Sequence, residues 1–219
     1  MRTAILESDG AADCHRSCAN AETGAMVDGH RMLTDEEVMA AIVAGDQRVY
    51  ADMVRRHGRP VALYAYRMLG NENEAEDIAQ ETFLRLWTQA ARWQPGKAAL
   101  STWLHRIAHN LCIDFLRKHR ISQDAGLEED LVDTQPTAEE SMATEADHIM
   151  LQAALGKLPE RQRSALLLTH YQGLSNREVA DILAVSIDAL ESLLARARRS
   201  LKNYWQSASQ QSAVTGEKS

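Results

Sequence analysis

Apolar residues recur along this chain at helical spacing, and nowhere in sustained period-two alternation. The pattern opens at Thr34, whose hydroxyl can cap a helix while Glu37, three residues on, reaches back in a capping box. A second stripe, Val49, Met53, Val61, Leu63, Tyr64 and Met68, predicts a helix from about Asp46 to Leu69, broken or kinked at Pro60 and ended by Gly70. A third, from about Asn73 to Ala90, puts Ala75, Ile78, Ala79, Phe83, Leu86 and Trp87 on one face. Its acidic start, with Glu72, Glu74, Glu76 and Asp77, suits the positive end of the helix dipole. "RWQPGKAAL" (92–100) predicts a loop, after which Ser101 or Thr102 caps a fourth helix through about His119 with Leu104, Ala108, Leu111 and Phe115 on its buried face. Helical pattern returns from about His148 to Leu158 and again from Arg161 to His170. "GLSNREVADILAVSIDALESLLARARRSL" (173–201) then reads as two short helices around a tight turn. The predicted fold class is all-α: two small helical domains joined by a flexible acidic linker.

Charge sharpens this division. The 219 residues carry a net −7, yet the segments differ: −3 over 1–30, +2 over 31–120, −9 over 121–147, +3 over 148–205 and zero over 206–219. The acidity lies in a connector and an N-terminal extension, while both segments with helical pattern are slightly basic. The expected organisation is a disordered extension over 1–31, a domain over 32–120, the linker over 121–147, a second domain over 148–205 and a disordered tail over 206–219. No apolar run approaches the roughly 18 residues of a membrane span, and no secretory signal is evident, so membrane insertion is not expected and a cytoplasmic location is. Cys14, Cys18 and Cys112 are too few and too scattered for a disulfide framework.

The last pattern carries the clearest chemistry. Taking Asn176 as the first residue of a helix-turn-helix, Ala180 falls at the close approach of the helices and Ala184 in the turn, where Gly is commoner. Val179, Leu183, Val185, Leu190 and Leu193 fall at buried positions, with Ser175 and Glu178 as a capping box and Ser186 capping the second helix. An ordinary helical hairpin would share part of this pattern. At about 100° per residue, Asp188, Ser192, Ala195 and Arg199 lie opposite the apolar face, with Arg196 beside them. Serine, arginine and a carboxylate are suited to base edges and phosphates, so Asp188, Glu191, Ser192, Arg196 and Arg199 are the candidate readers. On the fourth helix Arg106, Asn110 and Arg117 cluster on one face, flanked by His109 and Arg120, which suits phosphates or simply solvent.

Longer blocks make the pattern more specific. "RMLGNENEAEDIAQETFLRLW" (67–87), "WQPGKAALSTWLHRIAHNLCIDFLRK" (93–118) and "LPERQRSALLLTHYQGLSNREVADILAVS" (158–186) resemble the extracytoplasmic-function group of bacterial sigma factors, over roughly Leu33 to Leu201. The resemblance implies a sigma-two domain that binds core RNA polymerase and melts the minus-ten promoter element, and a sigma-four domain that reads the minus-thirty-five element. Its partners would be the polymerase beta-prime clamp and beta subunit, promoter DNA and an anti-sigma protein. No cofactor and no catalysis are implied.

Carried onto this sequence, the resemblance makes Asp77, Gln80, Glu81, Phe83 and Leu84 candidates for docking on the clamp. On the residues alone, an acidic and amide ridge beside apolar groups suits a basic partner helix, and a solvated helix start with Phe83 buried fits as well. The minus-ten candidates are Trp93, Gln94, Lys97, Arg106, His109, Asn110 and Arg117. Here Trp93 is either a stacking platform or core. Glu191 and Leu193 depart from the basic residues common in the family, which implies a different minus-thirty-five preference or fewer contacts there. A stand-alone helix-turn-helix regulator would explain the last block but not the first.

His105, His109 and Cys112, at i, i+4 and i+7, have a spacing that could gather three metal ligands, but no fourth is near, and no metal is expected. Cys14, His15 and Cys18 in "DCHRSC" are a weaker hint of metal or redox sensing. Neither a phosphate-cradling glycine loop nor a nucleophile elbow is present.

Overall fold

The computed structural model describes residues 25–26, 32–124 and 142–216. Within them a two-stranded antiparallel ribbon, β1 (Ala25–Met26) with β2 (Met32–Leu33), precedes the helices. These are α1 (Asp35–Val43), α2 (Gln47–Leu69), α3 (Glu72–Gln89), α4 (Leu100–Asp124), α5 (Met142–Gly156), α6 (Glu160–Leu166), α7 (Asn176–Leu183) and α8 (Ile187–Gly216). The ribbon aside, the fold is all-α, as the periodicity predicts.

Local chemistry sets most boundaries. Thr34 and Glu37 close the expected capping box at α1. Asp46 caps α2 through the Arg48 and Val49 amides, and Asn71 caps α3 through Glu74. Gly70 ends α2 in the left-handed conformation, at φ 76°, where a side chain would be strained.

Four expectations need correction. Pro60 does not break α2, which runs unbroken through it. One lost hydrogen bond and a ring clash cost about 3 kcal/mol, but Met53, Val61 and Tyr64 are fully buried on both sides of the proline and hold the helix in register. Neither Ser101 nor Thr102 caps α4. It starts at Leu100, whose amide donates to Asp35 Oδ2 on α1 at 2.7 Å, a cap from 65 residues away. The helix expected over 161–170 changes after Leu166 into a wider π turn, Leu167–Tyr171. Finally, α8 continues to Gly216, well past the end expected from its apolar stripe.

Helices α2, α3 and α4 pack on one another, and α6, α7 and α8 form the second bundle. The two bundles also share a core: Val38, Met53, Leu86 and Leu104 belong to the same apolar cluster as Leu155, Leu167, Val179 and Leu190. The centre of the acidic segment, 125–141, lies outside the described residues, as do 1–24, 27–31 and 217–219.

Candidate functional site

Three surfaces collect the residues singled out from the sequence. The first is an open groove of about 690 Å³ between α2 and α3, lined by Tyr50, Val54, Ala79, Gln80, Phe83 and Leu84 among others. Asp77 and Gln80 are exposed beside it, and Leu84 stands 54% exposed. Glu81 is paired with Arg85 at 2.7 Å, one helical turn on. Phe83 lines the groove at only 5% exposure, so it can offer little more than an edge. Tyr50 and Trp87 were not singled out for this surface. The Tyr50 hydroxyl donates to the Phe83 carbonyl at 3.2 Å, and its ring meets Trp87 edge-on at 5.0 Å. Leu63, assigned to the core from its spacing, is in fact exposed. The combination is an apolar trough with an acidic and amide rim.

The second surface lies on the 93–100 loop and α4. A turn in which the Lys97 amide donates to the Gln94 carbonyl, with Gly96 at φ 74°, leaves both side chains exposed. Arg106, Asn110 and Arg117 are exposed as expected, and Arg117 is bonded to Asp114 at 2.8 Å. Two candidates for this face are not on it. Trp93 is 9% exposed and belongs to the core, and His109 is 7% exposed, with Nδ1 hydrogen-bonded to the Tyr64 hydroxyl at 2.9 Å. The physical reason is that α4 packs against α2, α3 and α7 at once, so it buries a wider arc than a helix lying on a single layer.

That burial also accounts for the titration of the neighbouring side chains. Desolvation lowers His57 and His109 to about 4 and pushes Cys112 up to about 12. His105 is lowered too, by desolvation foremost, although hydrogen bonds oppose the shift. Both of its ring nitrogens face oxygen acceptors, the Ser101 carbonyl at 2.8 Å and Gln172 Oε1 at 2.9 Å, so a neutral ring satisfies one at a time. His105, His109 and Cys112 therefore do not converge, and no group of three potential metal ligands is found among the described residues. Cys14, His15 and Cys18 lie outside those residues.

The third surface is the helix-turn-helix of α7 and α8. Ser175 and Glu178 form the expected capping box, and Ser186 Oγ accepts from the Ala189 amide at 3.2 Å. Ala184 makes the turn at φ 51°, a left-handed conformation for a residue that bears a Cβ. Leu190, Leu194 and Ala197 are buried. Asp188, Glu191, Ser192, Arg196 and Arg199 are all exposed on the other side of α8. Leu193 is half-buried against the core, so its apolar character answers to packing. Arg198 is turned to His170 Nε2 at 3.1 Å, away from that set.

Comparison with known proteins identifies the family. The family description "Sigma-70 region 2" matches residues 53–121, and "Sigma-70, region 4" matches 148–201. The chain is 36% identical over 179 residues to ECF RNA polymerase sigma factor SigE of Mycolicibacterium smegmatis, covering 78% of this chain and 69% of that one. It is 35% identical to ECF RNA polymerase sigma factor SigM of Mycobacterium tuberculosis, over 79% of this chain and 85% of the other. Among solved structures, CnrH in complex with the cytosolic domain of CnrY aligns with TM-score 0.61 and 26% identity, over 79% of this chain and 97% of that one. A curated CnrH is an RNA polymerase sigma factor of Cupriavidus metallidurans. No described helix is long and apolar enough to cross a membrane.

Proposed function

Because the chain belongs to the extracytoplasmic-function group of the sigma-70 family, we propose that it directs core RNA polymerase to a particular set of promoters. It works in the cytoplasm, by binding and without catalysis of its own. The observation that carries this reading is the pairing, in one chain, of an open apolar trough between α2 and α3 with an exposed polar and charged face on α8.

Each surface has a physical task. Asp77, Gln80 and Glu81 offer carboxylates and an amide to a basic partner helix, while Leu84 and the groove beside it take an apolar side chain. This is the contact with the polymerase clamp. Gln94 and Lys97 on their exposed turn, with Arg106, Asn110 and Arg117 on α4, bind the backbone and an unstacked base of the melted minus-ten strand. Trp93 and His109 act by shaping the core beneath that face. On α8, Asp188, Glu191, Ser192, Arg196 and Arg199 read the minus-thirty-five duplex. The CnrH relative was solved with the cytosolic domain of CnrY. By analogy, this chain is held inactive by an anti-sigma protein until its signal arrives.

The test is assembly. Gln80→Ala combined with Glu81→Lys removes an exposed amide and reverses the charge at half-buried Glu81 on α3, and neither residue belongs to the core. Copurification with core polymerase is expected to fall at least tenfold, with helicity unchanged. Undiminished copurification would overturn the docking assignment. A stand-alone regulator, the second reading, would bind a duplex operator tightly without polymerase and would not copurify at all.

A further inference from the structure

The exposed turn that carries Gln94 and Lys97 rests on α1 at both of its ends. At the first end a 3₁₀ turn, Ala90–Arg92, packs against α1. Ala90 and Trp93 share an apolar cluster with Val38, Met39 and Ile42 of that helix. Packing holds the Trp93 ring, because its buried indole N–H has no acceptor among the described residues. At the second end the Leu100 amide donates to Asp35 Oδ2 at 2.7 Å. Between these anchors residues 94–97 are exposed and 98–99 half-buried.

Asp35 is the first residue of α1, fixed there by the capping box of Thr34 and Glu37. An acidic side chain at that position suits the positive end of its own helix. Here it also accepts from the first residue of α4, so one carboxylate serves the N-termini of two helices. Partial burial pushes the Asp35 carboxyl pKa up, and the hydrogen bond from Leu100 opposes that shift. The residue at the N-cap position of α4 offers no substitute. It is Ala99, whose carbonyl accepts from the Trp103 amide at 3.0 Å but which has no side-chain oxygen. The start of α4 is therefore set by where α1 lies. Helix α1 itself falls outside residues 53–121, the segment that the family description matches.

We propose that Asp35 is a positioning residue for minus-ten recognition: by tying the first turn of α4 to α1, it fixes the place at which the 94–97 turn meets an unstacked base. It acts through the Leu100 amide and touches no base itself. The proposal rests on the reading of that turn as a base-binding element. Discrimination between bases requires the turn to be held before the base arrives, because a misplacement of about 1 Å is enough to weaken a geometric match severely. Without Asp35 the turn is anchored at one end only. Contacts to the DNA backbone then persist, and the choice of base is lost.

The test compares holoenzymes, assembled from core polymerase and full-length chains, for what they select from a labelled single-stranded DNA pool of random sequence beyond core polymerase alone. Asp35→Ala is expected to assemble as wild type does, because it leaves the residues of the α2–α3 trough untouched. It should lower the enrichment of the preferred sequences about tenfold, with little change in the total DNA retained. Asp35→Asn makes the same change of charge but keeps an acceptor oxygen, and should select as wild type does. Asp35→Ala/Ala99→Ser adds a cap local to α4. That variant should recover the stability of wild type without its selectivity, and it decides the matter if Asp35→Ala alone loses helicity. Undiminished selectivity in Asp35→Ala, or selectivity restored by the local cap, overturns the positioning role and leaves the reading of the turn standing. A wild-type holoenzyme that prefers no sequence overturns the reading of the turn, and this proposal with it.

Discussion

At the scale of single residues, Glu191 is the informative departure. It is exposed on the face of α8 that carries Ser192, Arg196 and Arg199, and a carboxylate there repels phosphate but can accept a hydrogen bond from cytosine N4. A good base contact is worth about 1–3 kcal/mol of discrimination, so under the proposed reading of α8 one residue is enough to redirect promoter choice. Glu191→Lys should change which upstream sequences are transcribed from a promoter library. Identical minus-thirty-five preferences in wild type and variant would show that Glu191 does not face the bases. Leu193, the neighbouring departure, is half-buried and is not expected to take part.

At the scale of elements, the turn between α7 and α8 shows where local and global demands disagree. The turn needs a left-handed residue, and Ala184 supplies it at φ 51°, which costs an L-residue roughly 1–2 kcal/mol. Glycine would relieve that cost but adds freedom to the unfolded chain, worth about 0.4–1 kcal/mol. Ala184→Gly should therefore stabilise the protein by up to about 1 kcal/mol, read as a higher urea midpoint at unchanged slope. A loss of stability would mean that the Ala184 methyl contributes packing. Much of this element is legible in advance, because the Ser175–Glu178 box and the Ser186 cap are set by residues three apart in the chain. The start of α4 is not, because its cap is Asp35, on another helix.

At the scale of the whole molecule, the half-buried His57 and the buried His109 tie stability to pH. His57 and His109 are held near 4 in the folded protein by desolvation, against about 6.5 for an exposed ring. The unfolded chain therefore binds more protons between these values, and stability falls as pH drops from about 6.5 toward 4. For His109 alone the loss between pH 7 and pH 5 is about 2 kcal/mol. Urea unfolding at the two pH values should show it, and His109→Gln should flatten the dependence. Equal stability of the wild type at pH 5 and pH 7 would contradict the desolvated, neutral rings.

What the sequence determined by itself was whatever depends on neighbours along the chain. The helical class, the caps at Thr34, Gly70 and Ser175, the order of the two blocks and the exposed stripe on α8 all follow from spacings of three or four residues. Periodicity announces that a helix has a buried face, but its width is set by how many other elements press on it. Tertiary structure alone decided that Trp93 and His109 are core, that Leu63 and Trp87 reach the surface, and that Pro60 is carried inside α2. It alone decided that Thr102 and Arg106 meet Glu178 and Asp181, more than seventy residues away. Those pairings join side chains and carbonyls whose identities carry no mark of their partners, and only the packing of one bundle on the other brings them within hydrogen-bond reach.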